Sequence, residues 1–173
     1  MTTPAEQAGP AGRTGICLDV DALEHLQRLM GSWGMLADLS FSDLLLVVPV
    51  EGSDGSRFMV LGQMRPSTSQ TLHRDDMVGR IMDEVERPWL TRSWRRGEIL
   101  EGELSVRGRG ERARIQCIPV RHAGLVVALV AREAPFGVGR RPGELERVYV
   151  ELFERFARMI FDGVFPFASD EAS

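Results

Sequence analysis

Two blocks of short, β-branched segments joined by glycine-containing turns most constrain the fold of this chain. The first block joins Asp43–Val50 to Arg57–Met64 across the turn Gly52–Gly55, the pattern of a β-hairpin. The second holds three strand-like segments, namely Ile99–Arg107, Arg112–Val120 and Leu125–Glu133, with turns at Gly108–Gly110 and His122–Gly124. Strands joined by such short turns pair antiparallel, and they do not alternate with helices as a Rossmann domain requires. The order predicts an α+β fold around a five- to six-stranded antiparallel sheet.

Helical periodicity brackets the two blocks. Asp19 is a candidate N-cap, and apolar residues recur after it at steps of three and four: Leu23, Leu26, Met30, Trp33 and Leu36. Pro142 opens a final helix from Gly143 to about Asp162, whose apolar stripe comprises Leu145, Tyr149, Leu152, Phe156 and Met159. We expect these terminal helices to divide their apolar faces between the core and a dimer contact.

Two shorter helices are predicted between the blocks. Pro66 ends the second strand, and Ser67–Arg74 is a polar loop. Asp75 or Asp76 is placed to cap a helix that carries Met77, Val78, Ile81, Met82 and Val85. Pro88 begins the next helix, which bears Trp89, Leu90 and Trp94 and ends at Gly97.

Composition narrows the class of protein. The 173 residues fit one domain, which we expect at residues 19–166, with a disordered leader at 1–18 and a tail at 167–173. The net charge of −4 gives no general attraction to nucleic acid or anionic membranes. Cys17 and Cys117 have no metal-ligand spacing, and neither a signal peptide nor a membrane-length apolar run is present, so we expect a cytoplasmic protein with no metal site.

Motifs that carry chemistry are weak. The chain has no G-x-S-x-G, H-E-x-x-H or G-K-[ST] sequence, so we do not expect it to be an enzyme. His25 is either a phosphoacceptor or, as we favour, a solvated helix residue. Gly137–Gly143 is either a phosphate-binding loop or a flexible linker, and we favour the linker. The arginines of one hairpin either bind phosphate or form a solvated sheet face, which we favour: Arg107, Arg109, Arg112 and Arg114.

Two longer runs carry a resemblance. Gly31–Asp43 contains W-x-x-L-A-D-L-S-F, and Gln63–Thr71 contains R-P-x-T-x-x-T, followed by Asp76–Gly79. Together they resemble the N-terminal GAF-like domain of actinobacterial sensor histidine kinases, over about residues 19 to 166. The resemblance implies a sheet in the order 2-1-5-4-3 with the terminal helices on one face. It also implies that a PAS domain, the histidine phosphoacceptor domain and the ATP-binding domain follow in the parent protein, so we expect this chain to be a piece of it rather than a stand-alone sensor.

The resemblance also suggests where a ligand would bind. GAF pockets lie between the sheet and the segments that interrupt it, here Ser67–Gly97 over Asp43–Met64. We expect apolar lining from Met77, Met82, Trp89 and Trp94, and polar contacts from Arg65, Thr68, Thr71, His73 and Asp76. A structural role is open for the same residues: Arg65 would pair with Asp76 or Asp38, the threonines would bond to the loop backbone, and Gly79 would permit close packing.

Two functions therefore stay open. The first is a sensory domain in which a small molecule, such as a cyclic nucleotide or metabolite, or a partner shifts the terminal helices and biases a downstream kinase. The second is a ligand-free dimerisation module. In either case we expect a homodimer formed through the terminal helices, with no cofactor identified.

Overall fold

The computed structural model describes residues 18–67, 70–106, 110–136 and 142–167, and the expected leader and tail lie almost wholly outside these ranges. Ten elements follow in order: α1 Val20–Gly31, α2 Trp33–Ser40, β1 Asp43–Pro49, β2 Arg57–Met64, β3 Ile81–Asp83, α3 Pro88–Arg96, β4 Leu100–Val106, β5 Glu111–His122, β6 Leu125–Pro135 and α4 Glu144–Asp162. The strands form one antiparallel sheet in the order β3-β2-β1-β6-β5-β4. The order of the five long strands is the one that the resemblance implied, and β3 extends the sheet beyond β2.

The first predicted helix is two helices. Asp19 caps α1 as expected, because its Oδ1 accepts a hydrogen bond from the backbone N–H of Ala22 at 2.7 Å. Ser32 then leaves the helical path, and α2 begins at Trp33. The break keeps Trp33 and Leu36 in the core while Leu23, predicted on the same stripe, is 40% exposed.

The helix predicted after Asp75 is wrong, because this stretch contains strand β3. Asp76 does cap a turn, since its Oδ1 accepts from the backbone N–H of Val78 at 2.9 Å. Gly79, at φ +83°, then turns the chain back so that its N–H donates to the carbonyl of Val60. The apolar spacing suited a helix, but β2 offers an unpaired edge, and the three residues of β3 pair with Arg57–Met59.

The sheet separates two apolar cores. On one face, the inward side chains of β1, β5 and β6 pack against α1, α2 and α4, so both terminal helices lie on one face as expected. On the other face, Leu45 and Val47 of β1 meet α3 and the segment between β2 and α3 through Leu72, Met82 and Leu90. Within the described ranges, no helix is both long and apolar enough to span a membrane.

Candidate functional site

Four buried ionisable side chains meet between the sheet and the segment that links β2 to α3, and we call Asp43, His73, Arg87 and Glu133 the charge cluster. Asp43 on β1 and Glu133 on β6 are register partners, so two carboxylates lie side by side on the sheet face that carries α3. Asp43 is 1% exposed and Glu133 is fully buried. Carboxylates are rarely buried unless they are paired, so their partners decide whether this arrangement is stable.

Glu133 is paired on both carboxylate oxygens. His73 Nε2 bonds to Oε2 in a short contact, and Arg87 Nε donates to Oε1 at 3.1 Å. Burial acts to raise the pKa of Glu133, but the hydrogen bond from His73 and the charge of Arg87 outweigh it and hold the pKa below its usual range. Glu133 is therefore an anion at neutral pH, and His73 Nε2 must carry the donated proton.

Asp43 is held by the polar loop instead of by a cation. Its carboxylate accepts from the Thr71 hydroxyl at 2.9 Å and from the backbone N–H groups of Leu72 at 2.6 Å and His73 at 2.7 Å. His73 thus contacts both carboxylates, Asp43 through its backbone and Glu133 through its ring. Any change that displaces His73 leaves two buried anions short of donors.

Arg65 fixes the other side of the loop. Its guanidinium donates to the backbone carbonyls of His73 at 2.8 Å, and of Arg74 and Asp75 at 3.0 Å each. The expected pairing of Arg65 with Asp76 or Asp38 is therefore wrong. Asp38 instead accepts from the backbone N–H and hydroxyl of Ser67 at 2.7 and 2.8 Å. A guanidinium presents five donors in a fixed fork, which suits a turn with several carbonyls pointing inward.

The two tryptophans of α3 frame the segment. Trp89 Nε1 donates to the carbonyl of Glu103 at 3.0 Å, and its ring lies against Gly102 of β4. Trp94 packs edge-on to Phe58 of β2, with ring centroids 6.1 Å apart. Both rings are half-buried, and both pack α3 against the sheet.

The structure places the predicted ligand contacts in different surroundings. Thr68 lies outside the described residues. Arg65, Thr71 and His73 lie close together, and their polar groups contact one another and Asp43 and Glu133. Met77 and Met82 are buried in the core of this face, whereas Asp76 is exposed. Gly79 does not permit close packing, because a side chain there would meet nothing within 4 Å; its positive φ explains the glycine.

Two cavities within the described residues lie elsewhere. A cleft of about 1200 Å³ opens on the α4 face and contains none of the eight described candidate residues. Arg132 on its floor donates to Glu154 of α4 at 3.0 Å, to Gln116 at 3.2 Å and to Ser42 at 3.2 Å. A smaller cavity of about 430 Å³ beside the start of α1 includes Trp94 alone among the candidates.

The prediction for His25 is corrected by the structure, and those for the arginine cluster and the glycine-rich stretch fall partly outside the described residues. His25 is 3% exposed, so its assignment as a solvated residue is wrong. Within the arginine cluster, Arg107 and Arg109 fall outside the described residues, as does most of Gly137–Gly143. Arg112 pairs with Glu103, and Arg114 lies 5.1 Å above the ring of Phe136, which fits the solvated sheet face that we favoured. No cluster of three or more metal-ligating side chains occurs in the part of the chain described.

Sequence reasoning missed Asp43, Arg87 and Glu133 as members of the site. Glu133 carried a usable signal: it follows Leu129 and Ala131 at period two, so it extends the inward-facing row of β6. Asp43 occupies the same kind of position at the start of β1. Arg87 carried no signal, because every basic residue of this chain is an arginine and most of them are solvated.

An antiparallel sheet with both terminal helices on one face and an interrupting segment over the other defines a domain of the GAF type. A family model for the GAF domain of histidine kinase PdtaS matches residues 13–153. The chain belongs to this family.

Individual relatives agree. The chain is 32% identical over 155 residues to the sensor histidine kinase PdtaS of Mycolicibacterium smegmatis and 31% identical over 157 residues to that of Mycobacterium tuberculosis. In each case 87% of this chain matches, but it spans only 30% of the relative's length. Among solved structures, the sensor region of a sensor histidine kinase matches 89% of this chain and 51% of its own, with 30% identity and a TM-score of 0.71. This chain therefore corresponds to the sensor part of such kinases.

Proposed function

We propose that this chain, with its domain at residues 19–166, is the cytoplasmic input domain of a two-component histidine kinase, and that it passes a signal from the segment between β2 and α3 to the helix α4. One observation carries the proposal: two consecutive residues of β6 reach opposite faces of the sheet. Glu133 contacts His73 and Arg87 on the sheet face that carries α3, and Arg132 contacts Glu154 on the face that carries α4. A displacement of Glu133 therefore moves the anchor of α4.

The energy required is modest. The relatives are sensor histidine kinases, and α4 is the last helix of the described residues. A ligand shifts a two-state equilibrium only by its difference in affinity for the two states, and a few kcal/mol is enough. Breaking the contact of His73 with Glu133 would change the energy by a comparable amount, since a buried acceptor that loses its hydrogen-bond donor costs about 1–3 kcal/mol.

The ligand contacts of this proposal are the residues predicted from sequence, which already hold the segment in place. Arg65, Thr71 and His73 use their polar groups on the protein itself. A small molecule with acceptor groups, such as a cyclic nucleotide or another anionic metabolite, would compete with the two carboxylates for Thr71 and His73, and with the loop carbonyls for Arg65. Binding would therefore open the segment, and Thr68, Asp76, Met77, Trp89 and Trp94 would become contacts of the ligand.

Thermal unfolding in the presence of a panel of nucleotides and metabolites tests for a ligand. A compound present at about 100 times its Kd adds about 2.7 kcal/mol to the free energy of unfolding. Hydrogen exchange with that compound should change at residues 65–77 and at α4 together. Protection confined to the cleft beside Arg132 would contradict the placement of the sensing site, and no stabilisation by any compound would favour the ligand-free module.

The alternative function, dimerisation, has its own observation. The outer side of α4 exposes four apolar side chains at helical spacing: Leu145, Val148, Tyr149 and Leu152. Such a stripe is typical of a helix that pairs with another, and we propose that a second copy of the domain covers it. Sedimentation of wild type and Leu152→Glu at high micromolar concentration tests this, with the exposed Leu125→Glu on the β5–β6 turn as control. A monomeric wild type would refute the dimer, as would equal effects of the two substitutions.

A further inference from the structure

A second group of ionisable residues lies where α1 meets the β5–β6 turn, and it shares no residue with the charge cluster. His25 on the inner side of α1 faces His122, the last residue of β5, with ring centroids 4.8 Å apart and planes tilted by 36°. His25 is 3% exposed, and its Nε2 has no hydrogen-bond partner in the described part of the chain. A buried polar atom without a partner costs about 1–3 kcal/mol, so its retention calls for an explanation.

The charges around His25 are basic. His122 approaches it from β5 and Arg28 from its own helix, one turn further along. Beyond these, Arg121 of β5 and Arg158 of α4 both lie over the ring of Phe161, at 4.7 and 5.5 Å. Burial, His122 and Arg28 all lower the pKa of His25, while a backbone hydrogen bond to Arg121 opposes them; the pKa lies below its ordinary value.

The same turn receives the end of α4. Gly163 caps this helix at φ +78°, and a side chain there would come within 3.2 Å of the carbonyl oxygen of Arg121. Consecutive residues of β5, Arg121 and His122, thus contact the last turn of α4 and the middle of α1. A change at this turn reaches both terminal helices.

We propose that His25 and His122 form a proton-sensitive contact that holds α1 on the β5–β6 turn and releases this helix in mildly acidic conditions. When His25 is neutral, its buried imidazole packs against the half-buried ring of His122. A proton on His25 places a buried cation beside Arg28 and His122. Among the described residues, no carboxylate forms a hydrogen bond with His25. Release of α1 returns the imidazolium to water. This inference does not depend on a ligand or on a downstream kinase.

The direction with pH follows from linkage. In the packed state the pKa of His25 is lower than its ordinary value of about 6.5, so the open state binds the proton more tightly. The stabilisation of α1 is therefore complete above about pH 6.5 and is lost as the pH falls through the pKa of the packed state. Uptake of one proton raises the opening equilibrium constant by up to about tenfold per pH unit within that window.

The experiment follows the imidazole signals and the amide protection of α1 by NMR between pH 7.5 and 5. The chain has three histidines, so His25→Gln and His122→Gln assign the ring signals. The matched control is Gln27→His, which adds a solvent-exposed imidazole on the same helix. We expect His25 to titrate below 6.5 and the logarithm of the α1 protection factors to fall across the window between about 6.5 and that pKa. The imidazole added by the control substitution should leave the midpoint of this fall unchanged.

The variants separate the proposal from ordinary acid sensitivity. In His122→Gln, the pKa of His25 should rise toward its ordinary value, and in His25→Gln the protection of α1 should no longer depend on pH in this window. Titration of His25 at or above 6.5 in the wild type would overturn the proposal. Loss of α1 protection in His25→Gln with an unchanged midpoint would overturn it as well.

Discussion

Two glycines decide how the tryptophans of α3 are seated. A Cβ atom added to Gly102 of β4 would overlap the indole ring of Trp89, and one added to Gly55 would come within 2.5 Å of Trp94 Cδ1. Trp89 also bonds to the backbone of the neighbouring Glu103, so its ring cannot simply move aside. The φ of Gly102 is not positive, so the backbone conformation alone does not require a glycine here. The glycine is required because a side chain would occupy the space of the Trp89 ring.

We predict that Gly102→Ala lowers the free energy of unfolding by about 1–3 kcal/mol, the usual cost of overpacking. The control is Gly34→Ala in α2, where an added Cβ meets nothing within 4 Å and the φ is also not positive. That change should raise stability by about 0.5 kcal/mol, because it reduces the freedom of the unfolded chain. Urea unfolding measures both. Equal effects of the two substitutions would show that Trp89 yields easily.

The charge cluster supports a prediction about one carboxylate. Glu133→Gln should lower the free energy of unfolding by about 3 kcal/mol, because the buried Arg87 keeps only its longer ionic contact with Glu86, at 3.8 Å. Glu103→Gln is the matched control, since Glu103 pairs with Arg112 at an exposed site. Its cost should be below about 1 kcal/mol. If both variants unfold at the same urea concentration, the cluster does not contribute to stability in the way described.

At the scale of elements, the attachment of α4 differs along its length. From Phe153 onward the helix buries Phe153, Ala157 and Ile160, whereas residues 144–152 project beside the cleft. Glu154, at the boundary between the two parts, ties the helix to the sheet through Arg132 and Gln116. Burial holds the pKa of Arg132 below its ordinary value against the opposing charges of Glu154 and Glu101. This contact sets how firmly the first half of α4 is held.

Glu154→Gln should therefore loosen the first half of α4 specifically. Because Glu154 is 45% exposed, we expect a loss of about 1 kcal/mol, or roughly fivefold in the local opening constant. Amide hydrogen exchange across residues 144–152 measures it. The exposed Glu151→Gln on the same helix should leave exchange unchanged. Uniform acceleration along all of α4 would mean that the contact acts on the whole helix instead.

Sequence patterns determine most elements but misassign one of them. Proline, glycine and period-two signals locate α3 and the long strands, because those signals are local. The pattern predicts a helix where β3 lies, since Met77, Ile81 and Val85 have helical spacing, and the pairing of β3 with β2 depends on residues more than twenty positions away. The charge cluster escapes prediction for the same reason: Asp43, His73, Arg87 and Glu133 come from four separate segments.

The two sequence runs that carried the family resemblance meet in three dimensions. Asp38 of the first run binds Ser67 of the second, and Asp43 binds Thr71 and the following backbone. Phe41, between them, adopts a left-handed backbone conformation at φ 51° and stacks on Tyr149 of α4 at 6.1 Å. Each run supplies hydrogen-bond partners to the other, which explains why their combination is more specific than either alone.

For the whole molecule, the charge cluster predicts a limit to stability in acid. Because the folded-state pKa of Glu133 is lowered, the unfolded chain binds its proton more tightly. The stabilisation is complete above the unfolded-state value of about 4.3 and is lost as the pH falls through the folded-state pKa. Circular dichroism of urea unfolding from pH 6 to 3 should show a steeper decline in wild type than in Glu133→Gln. Parallel declines would contradict this origin.

The neighbouring pair Arg132–Glu133 also fixes the alignment of β6. If this strand slipped by one residue, every side chain would change faces. Glu133 would then lie beside Glu154 on the α4 face, and Arg132 would lie beside Arg87 on the other, so each salt bridge would become a repulsion between like charges. A single-residue insertion or deletion in the second half of β6 should therefore be far less tolerated than substitutions in the same strand. Two adjacent charges of opposite sign act as a register mark that the apolar residues of β6 alone do not provide.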